Sequence, residues 1–205
     1  VFLDVTYRMH PDVCTFISGE IYDGRLVPHP DCSQQGTEHG TGLRWVRATH
    51  QERSTDSEEE ATIVVDTIMG LLGSDWTDVK GNTRALGVSD FMVVAPFNDQ
   101  VRMIRRRLDA NPVTAGVQVG TVDKFQGQEA PVVVFSMTSS DAEHIPHSMK
   151  FLFSRNRLNV ALSRARCLAY LVGTEELLNS RARDIDEMKL ISTLCAFVEE
   201  AERQQ

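Results

Sequence analysis

No stretch of the 205 residues approaches the run of about 18 apolar residues that a membrane-spanning helix needs. The start, Val1-Phe2-Leu3-Asp4, has no basic region, no long apolar stretch and no cleavage site, so no secretory signal is read there. It also lacks an initiator Met and opens within a strand pattern, so the chain is expected to be a fragment of a longer one. Cysteine is scarce: Cys14, Cys32, Cys167 and Cys195 stand far apart, with no Cys-x-x-Cys. That spacing argues against a disulfide framework and fits a reducing cytoplasm. Cys32 has His29 and His39 nearby, but the paired spacings of a structural zinc site are missing, so no metal ligands are assigned. Positive charge is not in excess either, since the net charge is −8. As an average this argues against a nucleic-acid partner, because phosphate contacts need Lys and Arg. The average hides clusters, however. Acidic residues gather at Asp56 to Glu60 and at the C-terminus, and basic ones at Arg102 to Arg107 and Arg155 to Arg166. A channel lined by one face can still be positive.

What is present is an alternation of strand and helix patterns without internal repeats. Val1–Val5 reads as a short strand. Asp12–Tyr22 reads as a helix, capped by Asp12 and stopped at Asp23-Gly24. Residues 27–42 read as a loop, and Leu43–Ala48 alternates like a half-buried strand. Ser57 and Glu60 resemble a capping box that opens a helix through Leu72. Gly73–Asp90 reads as a polar loop. Phe91–Ala95 is a nearly continuous apolar run, the mark of a strand covered on both faces. A helix is predicted over Asp99–Leu108, strands over Val117–Thr121 and Val132–Met137, and a helix over Arg155–Arg166. A strand over Leu168–Val172 follows, and helices from Glu175 and from Asp184 close the chain. The pattern predicts an α/β domain, a mainly parallel sheet flanked by helices. Ligands of such sheets bind beyond the C-terminal strand ends, which points to Tyr7–His10, Pro96–Asn98 and Thr121–Glu129.

Three segments carry chemistry. Tyr7-Arg8-Met9-His10-Pro11 sets an aromatic beside an arginine; the pair can stack a base and reach a phosphate, or pack as an ordinary loop. Gly120-Thr121-Val122-Asp123-Lys124-Phe125-Gln126-Gly127-Gln128-Glu129 crowds five polar side chains into one turn between apolar strands. Gly127 there allows backbone to approach a ligand closely, and Glu129 can accept from ribose hydroxyls or be a solvated surface group. In Arg155–Arg166, Arg157, Ala161 and Arg164 share one helical face and Leu158, Leu162 and Ala165 another. That arginine face is either functional or simply exposed.

Together these segments resemble the second RecA-like domain of superfamily 1 helicases along most of the chain. Tyr7–Pro11 is similar to the aromatic-Arg segment that opens that domain. Ala95-Pro96-Phe97-Asn98-Asp99-Gln100 resembles motif IV, Gly120–Glu129 motif V, and Arg157–Arg166 motif VI. The branch most resembled holds the nonsense-decay RNA helicases and the Dna2-type nuclease-helicases. Thr121–Met137 and Phe151–Gly173 are similar to bacterial proteins that fuse a RecB-like nuclease to such a helicase.

The resemblance implies an ATP site between two RecA-like domains. Tyr7 would flank the adenine, Arg8 would contact the γ-phosphate, Glu129 would hold the ribose, and Arg164 would be the arginine finger. Gln126 would link the nucleotide site to the strand-binding face, with Gly127 beside it. Pro96, Phe97, Asn98 and Thr121 would lie along single-stranded nucleic acid, DNA favoured over RNA. Phe97 either stacks a base or sits at the core edge. Residues 1–205 would then be one RecA-like domain without its own Walker A, since no Gly-x-x-x-x-Gly-Lys-[Ser/Thr] occurs. The phosphate cradle and the Mg²⁺ ligands are expected on an upstream domain, and the chain alone is expected to hydrolyse no ATP. The competing readings are a nucleic-acid-binding or interaction module that has lost the chemistry, and a P-loop kinase or transporter ATPase. The absent P-loop and the Phe-Gln-Gly-Gln-Glu segment disfavour the latter.

Overall fold

The continuous apolar runs become the inner strands of one parallel sheet. A computed structural model of the protein describes residues 4–141, 155–182 and 184–204. Among these the strands are β1 (Val5–Thr6), β2 (Val27–Pro28), β3 (Gly36–Thr37), β4 (Gly42–Arg47), β5 (Asp75–Thr77), β6 (Thr83–Ala85), β7 (Phe91–Val94), β8 (Gln118–Gly120), β9 (Ala130–Ser136) and β10 (Ala165–Gly173). The helices are α1 (Pro11–Tyr22), α2 (Glu58–Leu71), α3 (Asn98–Asp109), α4 (Arg155–Leu162), α5 (Glu175–Leu178) and α6 (Ile185–Arg203). The main sheet runs β4-β10-β9-β7-β8, and all its pairings are parallel.

Every residue of β9 is buried, because helices cover both faces of the sheet. Val133 and Phe135 join a core with residues of α1, α4 and α6, while Val132 and Val134 join one with residues of α2 and α3. This is the RecA-like α/β layering expected from the sequence. No helix among the described residues is long and apolar enough to cross a membrane.

Several boundaries differ from expectation for local reasons. α1 begins at Pro11, and His10 rather than Asp12 caps it: His10 Nδ1 accepts from Asp12 N–H at 3.2 Å. Proline suits that first position because the N–H it lacks has no helical partner anyway. Ser57 does cap α2, its hydroxyl accepting from Glu60 N–H at 3.1 Å. The return half of the capping box is absent: Ser57 N–H donates to Gln100 Oε1 instead, at 2.8 Å, and the Glu60 carboxylate turns inward. The segment 27–42 is not a plain loop. It holds β2, which pairs with β1, a 3₁₀ turn over Pro30–Gln34, and β3. Nor is 73–90 one: β5 and β6 form a hairpin, and β3 pairs with β5 to make a separate three-stranded sheet. All of β6 is exposed, so it shows no alternation for a reader of sequence to find. The helix expected over Arg155–Arg166 stops at Leu162. Ser163 and Arg164 form a turn, and Ala165 enters the sheet opposite Ala130. The opening residues Val1 to Leu3, and residues 151–154, lie outside the described residues.

One glycine ties the C-terminal end of the chain to the sheet edge. Gly42 has φ 102, and a Cβ there would collide with Gln204 Oε1. That oxygen accepts from Leu43 N–H at 2.6 Å. Gly42→Ala is therefore expected to lower stability by about 2–3 kcal/mol, combining left-handed strain with a displaced hydrogen bond. Urea unfolding checks this, and an unchanged midpoint would contradict it.

Candidate functional site

Three arginines and a glutamate meet at the N-terminal ends of β9 and β10. The backbone fixes the elements that carry them: Ala130 N–H donates to Arg164 O at 3.0 Å, and His10 N–H donates to Arg166 O at 2.7 Å. Arg8 Nε donates to Glu129 Oε2 at 2.6 Å, and its Nη1 donates to Ser163 O at 3.0 Å. Arg166 Nε lies 3.9 Å from Glu129 Oε1. Gln35, only 2% exposed, closes the cluster. Its amide nitrogen donates to Arg8 O at 2.5 Å, and its oxygen accepts from Arg166 Nε at 3.1 Å.

Arg164 is held differently. Among the described residues its buried Nε has no hydrogen-bond partner, and Nη1 reaches Gln128 O only at 3.5 Å. Burial, and then the neighbouring Arg8 cation, push its pKa below the usual arginine value, while Glu129 acts against them. A guanidinium this desolvated, crowded by like charge and under-bonded is stabilised by an incoming anion. It stays cationic at neutral pH, since arginine starts far above that range. Arg164 and Arg157 line a depression of about 240 Å³ together with Val122, Asp123, Gln126 and Val160. Arg157 NH2 lies 3.5 Å from Asp123 Oδ2. The shared helical face expected for Arg157 and Arg164 is absent, because Arg164 is past the helix end. The two still meet, through the turn.

Around this cluster, Gly127 adopts φ 81, and nothing lies within 4 Å of where its Cβ would be. The conformation favours glycine, and the open space leaves its backbone approachable. Gln126 is exposed beside it. Tyr7 is 72% exposed and stacks on His29, with ring centroids 4.5 Å apart and planes 25° apart. Burial lowers the pKa of His10, against an opposing pull from Asp12.

Pro96, Phe97, Asn98 and Thr121 lie at the other end of the strands. Gly120 is in register with Val94, and Val94 with Phe135. Ala130 precedes Phe135 by five residues, about 16 Å at roughly 3.3 Å per residue. The segment 121–129 spans that distance along one face, burying Val122 and Phe125 in the core. Pro96–Asn98 and Thr121 thus follow the C-terminal strand ends as expected. Glu129 does not: it sits at the N-terminal end of β9, because segment 121–129 runs back across the sheet before β9 begins. Tyr7–His10 does follow the C-terminal end of β1, but β1 belongs to the separate two-stranded sheet, and His10 reaches the N-terminal end of β10. Phe97 is only 8% exposed and belongs to the core. This packing favours the core-edge alternative over base stacking. Asn98 is exposed and Thr121 half-buried, so polar groups remain accessible there. Gln35 escaped the sequence reading, since it stands in the segment 27–42 that carried no periodicity, and His29 was weighed there only as a neighbour of Cys32.

These features define a RecA-like α/β domain with an arginine cluster at one edge of its sheet. The chain belongs to the AAA domain family, whose model matches residues 1–176, and it is a domain of the superfamily 1 helicase type. It is 30% identical over 192 residues, 87% of the chain, to helicase sen1 of Schizosaccharomyces pombe. It is 29% identical over 197 residues, 84% of the chain, to the DNA polymerase alpha-associated DNA helicase A of the same yeast. The chain spans 11% and 27% of the lengths of these two relatives. Among solved structures it is similar to the C-terminal domain of a possible DNA helicase from Lactobacillus plantarum. That likeness has a TM-score of 0.48 and 15% identity, covering 84% of this chain and 89% of that one.

Proposed function

We propose that this chain is the second RecA-like motor domain of an ATP-dependent helicase or translocase that moves on single-stranded nucleic acid, DNA favoured over RNA. The observation that carries the reading is the buried, unpartnered Nε of Arg164 beside the Arg8–Glu129 pair. Residues far apart in sequence converge there on a cluster of three arginines around one carboxylate. ATP would suit it: the phosphoryl group to be transferred spreads negative charge over its oxygens, and Arg164 and Arg8 would offset that charge. Glu129 would hold the ribose, and Tyr7 would flank the adenine on its exposed face. Gln126 and Gly127 would border the phosphates. An upstream RecA-like domain would complete the site and hold Mg²⁺, and a RecB-like nuclease would be fused to it in a bacterial protein. Closing and reopening of the cleft would be transmitted along segment 121–129 to Asn98 and Thr121, at the strand-facing end. The free thiols at Cys14, Cys32, Cys167 and Cys195 support a reducing, cytoplasmic setting.

The test is ATP turnover by the intact protein with and without single-stranded DNA. Stimulation of about tenfold or more is expected. Turnover that is robust in the isolated 205-residue chain would refute the shared site. A second outcome is expected of Asn98→Ala combined with Thr121→Val. The DNA concentration for half-maximal stimulation should rise several-fold, while maximal turnover stays within about twofold. Equal loss of both would place these residues elsewhere in the mechanism.

A further inference from the structure

The three-stranded sheet made by β3, β5 and β6 matches none of the segments that carry the proposed chemistry, yet it reaches into the arginine cluster. Trp76 on β5 is buried, and its ring lies between two guanidiniums. The carbon centre of Arg166 stands 5.2 Å from the ring centroid, and that of Arg84 4.5 Å. Arg84 is fixed in turn by the buried carboxylate of Asp90, through bonds of 2.6 and 2.7 Å. β5 is itself fixed by pairing with β3, where Trp76 stands opposite Thr37. Gln35, one residue before β3, bonds both Arg166 and the Arg8 carbonyl.

The contacts form a chain: Asp90 to Arg84, Arg84 to the indole face, the indole to Arg166, Arg166 to Glu129, and Glu129 to Arg8. The chemistry of Trp76 suits this use and not simple filling of space. Its buried N–H has no oxygen or nitrogen acceptor among the described residues and lies beside the weakly accepting sulfur of Cys167. A residue chosen for bulk alone would avoid that loss. The indole face is the strongest aromatic platform for a guanidinium.

We infer that Trp76 is a positioning residue: through Arg166 it holds Glu129 on Arg8, so the β5–β6 hairpin presets the geometry of the proposed nucleotide site. The placement of Glu129 and Arg8 at that site rests on the function proposed above. The hairpin's own role rests only on the contacts.

Two readouts separate these. The first is hydrogen exchange of arginine Nε–H groups in the 205-residue chain, followed by NMR. Trp76→Leu is expected to speed exchange at both Arg166 and Arg8 by about tenfold. Trp76→Phe, which keeps a π face, should hold both within about threefold of wild type. Arg166→Lys keeps the charge without the planar stack and leaves the hairpin untouched, and it should speed exchange at Arg8 as Trp76→Leu does. It serves where Trp76→Leu does not fold. Arg8 protection within twofold of wild type in Arg166→Lys overturns the inference. The second readout is ATP turnover by the intact protein: Trp76→Phe should stay near wild type, while Arg166→Lys raises KM for ATP about fivefold and leaves kcat within twofold. An intact wild-type protein without turnover would fail the proposed function, while the exchange rates would still decide the role of Trp76.

Discussion

Arg164→Ala in the intact protein is expected to lower kcat for nucleic-acid-stimulated ATP hydrolysis by about a thousandfold. That factor corresponds to about 4 kcal/mol of lost transition-state stabilisation, at roughly 1.4 kcal/mol per tenfold. The magnitude follows from where the side chain sits. It is partly desolvated, and among the described residues its Nε has no partner and its carbonyl contact to Gln128 is long. Little of its charge is therefore spent on the protein itself, and most is available where negative charge develops. Nucleotide affinity is expected to stay within about fivefold, because Arg8 and Glu129 remain bonded to each other and do not depend on Arg164. Arg164→Lys should restore little, since an ammonium cannot present two parallel donors to a phosphoryl group. Steady-state kinetics with a fluorescent-nucleotide titration separates the two quantities. A loss below tenfold, or a loss carried wholly by KM, would remove Arg164 from the role of arginine finger and make Arg157, in the same depression, the next candidate.

The fold was legible where burial is two-sided. Phe91–Ala95, Val132–Met137 and Leu168–Val172 each read as strands because both faces of the sheet are covered, and all three became inner strands. The candidate site was legible in its residue types, since Arg8, Glu129 and Arg164 were each named from local pattern and do converge. What could not be read was the register that brings them together. A rule about C-terminal strand ends misplaced Glu129, because nothing in residues 121–129 announces that the segment runs back along the sheet. The hairpin of β5 and β6 was invisible for a different reason. Its strands are three residues each and mostly exposed, so hydrophobic periodicity had nothing to act on, and Trp76 stood alone in a polar stretch. Gln35 was hidden in the same way: a buried glutamine bonded across long sequence distances leaves no local signature. Glu60 was read as half of a capping box, when its carboxylate serves the core instead.

That carboxylate carries the largest expected effect on stability. Glu60 and His50 are both fully buried, with Glu60 Oε1 3.0 Å from His50 Nε2. Glu60 Oε2 accepts from the Ser136 hydroxyl at 2.6 Å and from Thr138 N–H at 2.8 Å. One proton assignment satisfies the whole chain of contacts. Arg53 N–H donates to Ser140 Oγ at 3.0 Å, Ser140 donates to His50 Nδ1 at 2.7 Å, and His50 Nε2–H donates to Glu60. Gln100, from the segment that resembles motif IV, donates to Ser136 Oγ at 3.0 Å and to Ser57 O at 3.2 Å. The network thus joins α2, α3 and the end of β9, two residues into the helix that begins at Asn98. It also holds Thr138 at φ 74, a left-handed conformation unfavourable for a β-branched residue. Glu60→Ala would strand three buried donors at once. A cost of about 3–5 kcal/mol is expected, the range for removing one partner of a buried ionisable pair. For a domain of this size that is a fall in Tm of about 10 °C. Glu60→Gln keeps one acceptor oxygen and should cost about half as much. Urea unfolding with an unchanged m-value measures both. A loss under about 1 kcal/mol for Glu60→Ala would mean that the freed donors find other partners, and that the first turn of α3, which starts at Asn98, does not depend on this node for its position.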